Sequence, residues 1–316
     1  MKKSNSNPTR VVMTLLLLIS IGIVLGYSGV PLAQSLKPDA FIVDHIRSKG
    51  EVDWTNGAIR ATGIGVPPAD AVSARHAREM AKRAARVVAY RNLLEIVQGV
   101  RVNSHTLVKN YMVEQDTINT KVQGIIHGAR VVDEEEFPDG SFQVTVEMGL
   151  NSELSSALSL SPAEPRRPIS FPPNPIAPEI QPSLIPGDLH TGPISGTPSP
   201  EEDSMYTGLV LDAQGFQVQR AMSPRVVMED GREVYSAEYV KKAVAESQGI
   251  VAYVRGLSAA KEHARVTNVP LEVKVLRIDG DNKTDYVVSD ADAQMLHVVP
   301  EHFEFLENAR VLVVLD

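Results

Sequence analysis

Three stretches of this chain carry residue types whose spacing invites chemistry. Gly208 to Gly215 reads GLVLDAQG, a strand end that presents Asp212. Zinc-assisted hydrolysis needs an acidic residue and a histidine beside the metal, and no histidine stands in the residues next to Asp212. The eight histidines, His45, His76, His105, His127, His190, His263, His297 and His302, include no i,i+4 pair that would set two imidazoles on one helical face. Ser258-Ala259-Ala260-Lys261 has the S-x-x-K spacing in which a lysine one helical turn away takes the proton of an acylating serine. Its companion K-T-G is missing: Lys283-Thr284 is followed by Asp285, and Ser289-Asp290 comes in the wrong order. Asp279, Asp281 and Asp285 offer the oxygen ligands that calcium takes, but Lys283 stands where another acid is needed, and the turn glycine and closing glutamate of a calcium loop are absent. The expectation is a chain with no catalytic, cofactor-binding or metal-ligating residue, which is not an enzyme.

The elements that would position any such residues fall into two modules. In the first, Glu51 to Trp54 and Ile59 to Gly65 have strand character, joined by a turn at Thr55-Asn56-Gly57. Pro67, Pro68 and Asp70 then start a helix that runs from Ala71 to Gln98 and stops at Gly99. Ala74, Ala77, Ala81, Ala84, Ala85 and Val88 share one side of it, which permits close approach to a sheet. Arg75, Arg78, Lys82 and Arg86 form a basic stripe on the other side, a solvated face that Glu134, Glu135 and Glu136 are placed to oppose. Past Val88 the helix is apolar nearly all round, with Tyr90, Leu93 and Val97 on the side of the basic stripe and Leu94 next to them. Either the segment Leu107 to Ile118 folds over this end, or a second copy of the chain covers it, in a homo-oligomer through Tyr90, Leu93 and Val97.

Val100 to Thr106 reads as a further strand, followed by a polar, partly helical stretch to Thr120. Lys121 to Asp133 and Ser141 to Leu150 alternate as a hairpin about Pro138-Asp139-Gly140. The module is therefore α+β, an antiparallel sheet packed on one long helix. Its order of features is a strand ending Ala61-Thr62-Gly63-Ile64-Gly65, the Ala/Arg-rich helix, Asn92-Leu93-Leu94-Glu95 with Gly99, and Val102-Asn103-Ser104. Val122-Gln123-Gly124, Gly128-Ala129-Arg130-Val131-Val132 and the hairpin tip Asp139-Gly140 follow. Over residues 59–150 this resembles the LPP-type lipoprotein domain, related to the flagellar outer-membrane protein P family and to the N-terminal domain of flagellar assembly protein T. The resemblance implies a non-enzymatic envelope component that assembles on or beneath the outer membrane. Those lipoproteins are anchored through a cysteine; this chain has none, so it has no lipid anchor of that kind and any association runs through contacts with other envelope proteins.

Between the modules, Ser161 to Pro200 holds twelve of the 21 prolines. Each removes a backbone donor and pushes its predecessor out of the α region, so the segment reads as an extended, semi-rigid spacer holding two modules apart. Beyond it, strands at Tyr206–Asp212, Glu233–Tyr235 and Ile250–Val254 alternate with helices at Ala237–Gln248 and Leu257–Val266. Leu271–Ile278 pairs with Tyr286–Ser289, a helix covers Asp290–His297, and Arg310–Leu315 is a short buried strand. This half reads as an α/β domain. The organisation is thus an export signal over 1–33, an α+β domain over 40–152, a Pro-rich linker over 153–203 and an α/β domain over 204–316.

The N-terminal assignment rests on Lys2, Lys3 and Arg10 ahead of the uncharged apolar run Val11 to Leu25, with Gly26, Ser28, Pro31 and Ala33 after it. That run is shorter than the roughly twenty residues of a spanning helix, so cleavage is expected, an uncleaved N-terminal membrane anchor being the alternative. The destination is the periplasm or the periphery of the outer membrane. The absence of cysteine excludes disulfides, thiol catalysis and cysteine-ligated zinc. A net charge of −8 argues against nucleic acid as a partner. The function expected is that of a non-enzymatic, exported cell-envelope protein with a structural or assembly role, flagellum-associated if the resemblance extends that far. Two alternatives stand beside it: a periplasmic hydrolase of envelope polymer acting through Asp212 or Ser258, and a monomeric module that binds a small ligand.

Overall fold

The computed structural model describes residues 37–162, 164–169, 206–267, 269–298 and 300–316. The export signal and most of the Pro-rich segment lie outside the described residues. The first hairpin is set by Asp53, whose Oδ1 accepts from the backbone N–H groups of Thr55 (3.1 Å) and Asn56 (2.9 Å), while Gly57 supplies the positive φ of +67°. It joins β2 (Gly50–Asp53) to β3 (Ala58–Gly65). β1 (Val43–Ile46) adds an edge that the sequence pattern did not announce. With β4 (Arg130–Glu136) and β5 (Phe142–Gly149) the five strands form one antiparallel sheet in the order β1-β2-β3-β5-β4.

The long helix α1 (Ala74–Gly99) begins at Ser73, whose hydroxyl accepts from the His76 N–H, and lies across β3 and β5. Its packing face is narrower than the alanine pattern suggested. Ala81, Ala85, Ala89 and Leu93, each one turn apart, are fully buried, while Ala74 and Ala84 are exposed. Opposite this stripe β3 presents Gly63 and Gly65, and the helix backbone comes down onto them. A Cβ on Gly63 would stand 2.2 Å from Ala89 N and 2.3 Å from Ala85 O, and one on Gly65 would stand 2.0 Å from Ala81 O. Glycine on the strand and alanine on the helix together set this distance of approach. The basic stripe is opposed by the glutamates of β4: Arg78 pairs with Glu136 at 2.7 Å, and Lys82 and Arg86 with Glu134 at 2.5 and 2.8 Å.

Three expectations for the first module need correction. Tyr90, Leu93 and Val97 do not form a subunit surface: Leu93 and Val97 are fully buried within this chain, and the half-buried Tyr90 donates its hydroxyl to Ala129 O at 3.2 Å. The cover comes from α2 (Val108–Glu114) and α3 (Asp116–Gly128), both packed on α1. Secondly, Lys121 to Gly128 is helix and not strand, because Ile118, Val122 and Ile126 recur at the helical spacing of four and are buried together. Thirdly, Val100 to Thr106 makes only the isolated bridge Arg101–Leu107, since Asn103 Oδ1 accepts from the His105 and Thr106 N–H groups and bends the chain. After β5, a π-helical turn (Leu150–Leu154) and α4 (Ser155–Leu158) bury Leu150, Leu154, Ala157 and Leu158, so the start of the expected linker belongs to the core.

The C-terminal half is α/β, with two four-stranded sheets. β6 (Leu209–Asp212), β9 (Ala252–Arg255), β10 (Leu271–Lys274) and β13 (Val311–Leu315) form an all-parallel sheet in the order β10-β6-β13-β9. The run VLVVL of β13 is buried throughout, as a strand covered on both faces must be. β7 (Val226–Val227), β8 (Glu233–Tyr235), β11 (Arg277–Asp279) and β12 (Asp285–Val287) form a mixed sheet. Helices α5 (Lys242–Gln248), α6 (Leu257–Glu262), α7 (Asp290–Val298) and α8 (Pro300–Glu307) complete the half. The expected strand Leu271–Ile278 is divided: Val275 N–H bonds Asp212 O and Leu276 N–H bonds Val287 O, so the chain changes sheets between them, and only β11 pairs with β12 about the expected turn.

Candidate functional site

The two modules are not held apart. Thr55, at the tip of the first hairpin, accepts from Ile42 N–H at 2.8 Å and donates to Tyr253 O in β9 at 2.6 Å, and it is buried. Beside it the Trp54 and Tyr253 rings meet edge to face at 5.7 Å. Asp44 in β1 receives the Arg220 guanidinium in a fork (Nε to Oδ2 3.0 Å, Nη2 to Oδ1 2.6 Å) and the Trp54 indole N–H at 2.8 Å. The bent segment after α1 is completed from the other side, where Met222 N–H bonds Arg101 O (3.0 Å) and Ser223 N–H bonds Val102 O (2.8 Å). Asn282 closes the line with a bond to Ser104 O at 2.6 Å. One hydrophobic core runs through both halves. The first residues of the Pro-rich segment follow the same surface: Arg166 N–H bonds Glu238 O, its guanidinium pairs with Glu233 and Glu238, and Ile169 N–H donates to His297 Nδ1 at 3.0 Å.

This junction opens into two depressions. One, of about 330 Å³, is bounded by Ser104, His105, Ser223, Arg225, Glu233 and Glu238. Beneath it Arg225 reaches Asp285, whose carboxylate is almost wholly buried and takes the guanidinium Nε at 3.0 Å and the Arg225 and Thr284 donors at 3.4 and 3.2 Å. The hydrogen bond to Asp285 raises the Arg225 pKa above its ordinary value. The second depression, of about 360 Å³, lies between the first hairpin and π-helical turn on one side and the end of α5 and the loop after α6 on the other. His263 and Arg265 stand in that loop. Burial, and then the nearby guanidinium of Arg265, push the His263 imidazole down to about 4; burial lowers Arg265 to about 10.

The residues singled out for chemistry are not brought together. Asp212 ends β6 and accepts from Gln214 N–H at 3.1 Å. Ser258 is exposed on the first turn of α6, and Lys261 is ion-paired with Glu272 at 2.8 Å. The three aspartates of the β11–β12 turn diverge: Asp285 turns inward to Arg225, Asp281 faces His105 Nδ1 at 3.0 Å, and Asp279 caps the Gly280 N–H at 2.8 Å. Among the described residues no group of three or more histidines and carboxylates is placed to hold a metal ion. Sequence reasoning passed over Asp44, Thr55, Arg220, Arg225 and Arg265, because none stands in a motif and each acquires its partner from a segment far away in the chain.

Residues 208–316 are similar to the second domain of Treponema pallidum Tp0624. The match starts one residue before β6 and runs to the end of the chain, so it spans the whole C-terminal α/β domain. No curated protein matches the chain. No described helix is long and apolar enough to cross a membrane.

Two histidines, the half-buried His263 of the second depression and the buried His297 of α7, set an acid limit. Burial lowers His297 as well, and its Nδ1 accepts a hydrogen bond that the imidazolium form cannot accept. Both imidazoles therefore bind protons less readily in the folded chain than in the unfolded one, so stability rises with pH where the two states differ. Their contribution is fully present above pH 6.5 and is lost as pH falls from there towards about 4. The urea midpoint should drop over that window, and His263→Gln, whose amide oxygen can still accept from Arg265 N–H, should flatten the drop. A parent midpoint constant between pH 6.5 and 4.5 would exclude this role.

Proposed function

We propose that this chain is an exported, non-enzymatic scaffold of the cell envelope that carries two domains in one fixed relation. The observation that supports the reading most is the junction, in which backbone bonds, a forked ion pair and a continuous core join the α+β module to the α/β domain. A junction fixed by main-chain bonds and a shared core holds two outer faces at a set angle, which is what a scaffold between other proteins requires. The basic and apolar N-terminus over residues 1–33 supports export, and the resemblance of residues 59–150 to the LPP-type domain supports an envelope assembly role, flagellum-associated in its narrowest form. The match to a domain that stands second in another protein supports a modular reading of the C-terminal half. The hydrolase alternative finds no support at Asp212 or Ser258, whose surroundings supply neither a metal partner nor a free base.

Two measurements test the proposal. Alkaline phosphatase fused after Asp316 folds only outside the cytoplasm, so export predicts an active reporter, and an inactive one removes the envelope from the reading. Native envelope extracts, cross-linked and sedimented, should then show the chain in a discrete complex. Sedimentation as a free monomer would overturn the assembly role.

A further inference from the structure

The second depression at the junction has a lining of unusual chemistry. Thr55, Asn56 and Gly57 approach from the N-terminal module together with Asn151 and Ser152, and Ser247, Gln248, His263 and Arg265 face them from the C-terminal domain. No aspartate or glutamate lines it, in a chain whose net charge is −8. Arg265 is partly buried and has no carboxylate partner among the described residues. Its Nη1 bonds Ala309 O at 2.7 Å and Gly249 O at 3.5 Å, and its Nη2 bonds Gln248 O. Those bonds leave the Nε hydrogen and one Nη2 hydrogen unassigned. Capping the end of α5 accounts for the orientation of the side chain, but it neutralises none of its charge, and a desolvated cation without a counter-ion is costly.

The other groups around it are donors as well. His263 Nδ1 accepts from Arg265 N–H at 3.1 Å, which places the proton of the neutral ring on Nε2. Asn151 is wedged between two glycines with positive φ: a Cβ on Gly57 would stand 2.3 Å from Asn151 Nδ2, and one on Gly249 would stand 2.9 Å from Asn151 Oδ1. That wedge holds the amide in place, and among the described residues it has no side-chain hydrogen-bond partner. The Ser152 hydroxyl has none either.

We propose that this pocket binds a small molecule through one oxyanion group, a carboxylate or a phosphate monoester, held by Arg265 with Asn151, Ser152 and His263 as further donors. A planar guanidinium presents two parallel N–H groups that suit either oxyanion. The volume of about 360 Å³ leaves room for a body of a few carbon atoms beyond it. Because the pocket is walled by both modules, its occupant would also bind them to each other, which goes beyond the scaffold role and survives or fails independently of it.

The test uses the full chain and two probes, inorganic phosphate and acetate, each titrated against chloride at constant ionic strength and neutral pH while thermal unfolding is followed. The expected result is a saturable rise of the midpoint, about 3–6 °C at roughly ten times the dissociation constant. A rise with phosphate only assigns a phosphate group, and a rise with acetate only a carboxylate. Arg265→Met should abolish the rise, but it also uncaps α5, so a second variant is needed. Asn151→Asp keeps size and shape while placing a negative charge against the bound oxyanion, and it should remove the rise, with the probe-free midpoint unchanged or raised as the new carboxylate faces Arg265. No saturable rise with either probe, or an undiminished rise in Asn151→Asp, overturns the proposal.

Discussion

Replacing Gly63 with alanine should destabilise the chain by about 3 kcal/mol, at the top of the range for overpacking, and lower the unfolding midpoint by about 6–12 °C. The reason lies in what the new methyl meets. A Cβ at Gly63 would stand 2.2 Å from Ala89 N and 2.3 Å from Ala85 O, and both are backbone atoms of α1. No side-chain rotation relieves such a contact, so the helix must move off the sheet. Ala81, Ala85 and Ala89 then lose the approach that their small size permits, and Leu93 is lifted with them. Gly65→Ala should behave alike, since its Cβ would fall 2.0 Å from Ala81 O. Gly124 provides the control: it sits in α3 with nothing within 4 Å of an added Cβ, so Gly124→Ala should be neutral or stabilising by up to about 1 kcal/mol through helix propensity alone. Urea unfolding of the three variants decides the matter. A Gly63→Ala variant as stable as the parent would mean that the helix does not rest on β3 at this distance.

Arg225→Met should cost about 3–5 kcal/mol, the largest effect expected from any single side chain at the junction. Asp285 is 1% exposed, and the Arg225 guanidinium is its only cationic partner among the described residues. Methionine fills much of the same volume but leaves the carboxylate buried with only the Arg225 backbone N–H and the Thr284 hydroxyl, at 3.4 and 3.2 Å. The cost is therefore that of a stranded charge, not of a missing contact. The double variant Arg225→Met/Asp285→Asn removes both the cation and the anion and should recover much of the loss, leaving about 1–2 kcal/mol for the imperfect hydrogen bonds of the amide. If the double variant were as unstable as the sum of the two single changes, the pair would be acting through packing and the electrostatic account would be wrong.

Much of the fold was legible because it is local. The Asp53-to-Gly57 turn, the capped helix ending at Gly99, the alternation of Phe142, Val144, Val146 and Met148, and the apolar run of β13 each carry their own signal within a few residues. The opposition of the basic stripe by Glu134 and Glu136 was also readable, since both sets flank elements that had to pack together. Errors arose where two periods compete over a short window. Val122 and its neighbours satisfy an alternating pattern nearly as well as a helical one, and the burial of Ile118, Val122 and Ile126 against α1 selects the helix. The pattern left two covers open for Tyr90, Leu93 and Val97, the segment Leu107 to Ile118 or a second copy, because α2 and α3 are weakly patterned by themselves.

Residue order and composition alone set the α+β character of the first module, the α/β character of the second, the absence of thiol chemistry and the dispersal of the catalytic-looking motifs. They could not determine that the modules are joined, or that a donor-lined pocket opens where they meet. Proline spacing describes the stiffness of a connection and carries no information about which surfaces meet across it. The contacts that join the halves, Thr55 to Tyr253, Asp44 to Arg220 and Arg101 to Met222, link residues more than a hundred positions apart. Each depends on single side chains or main-chain groups that leave no periodic trace, so only the folded chain brings them into register.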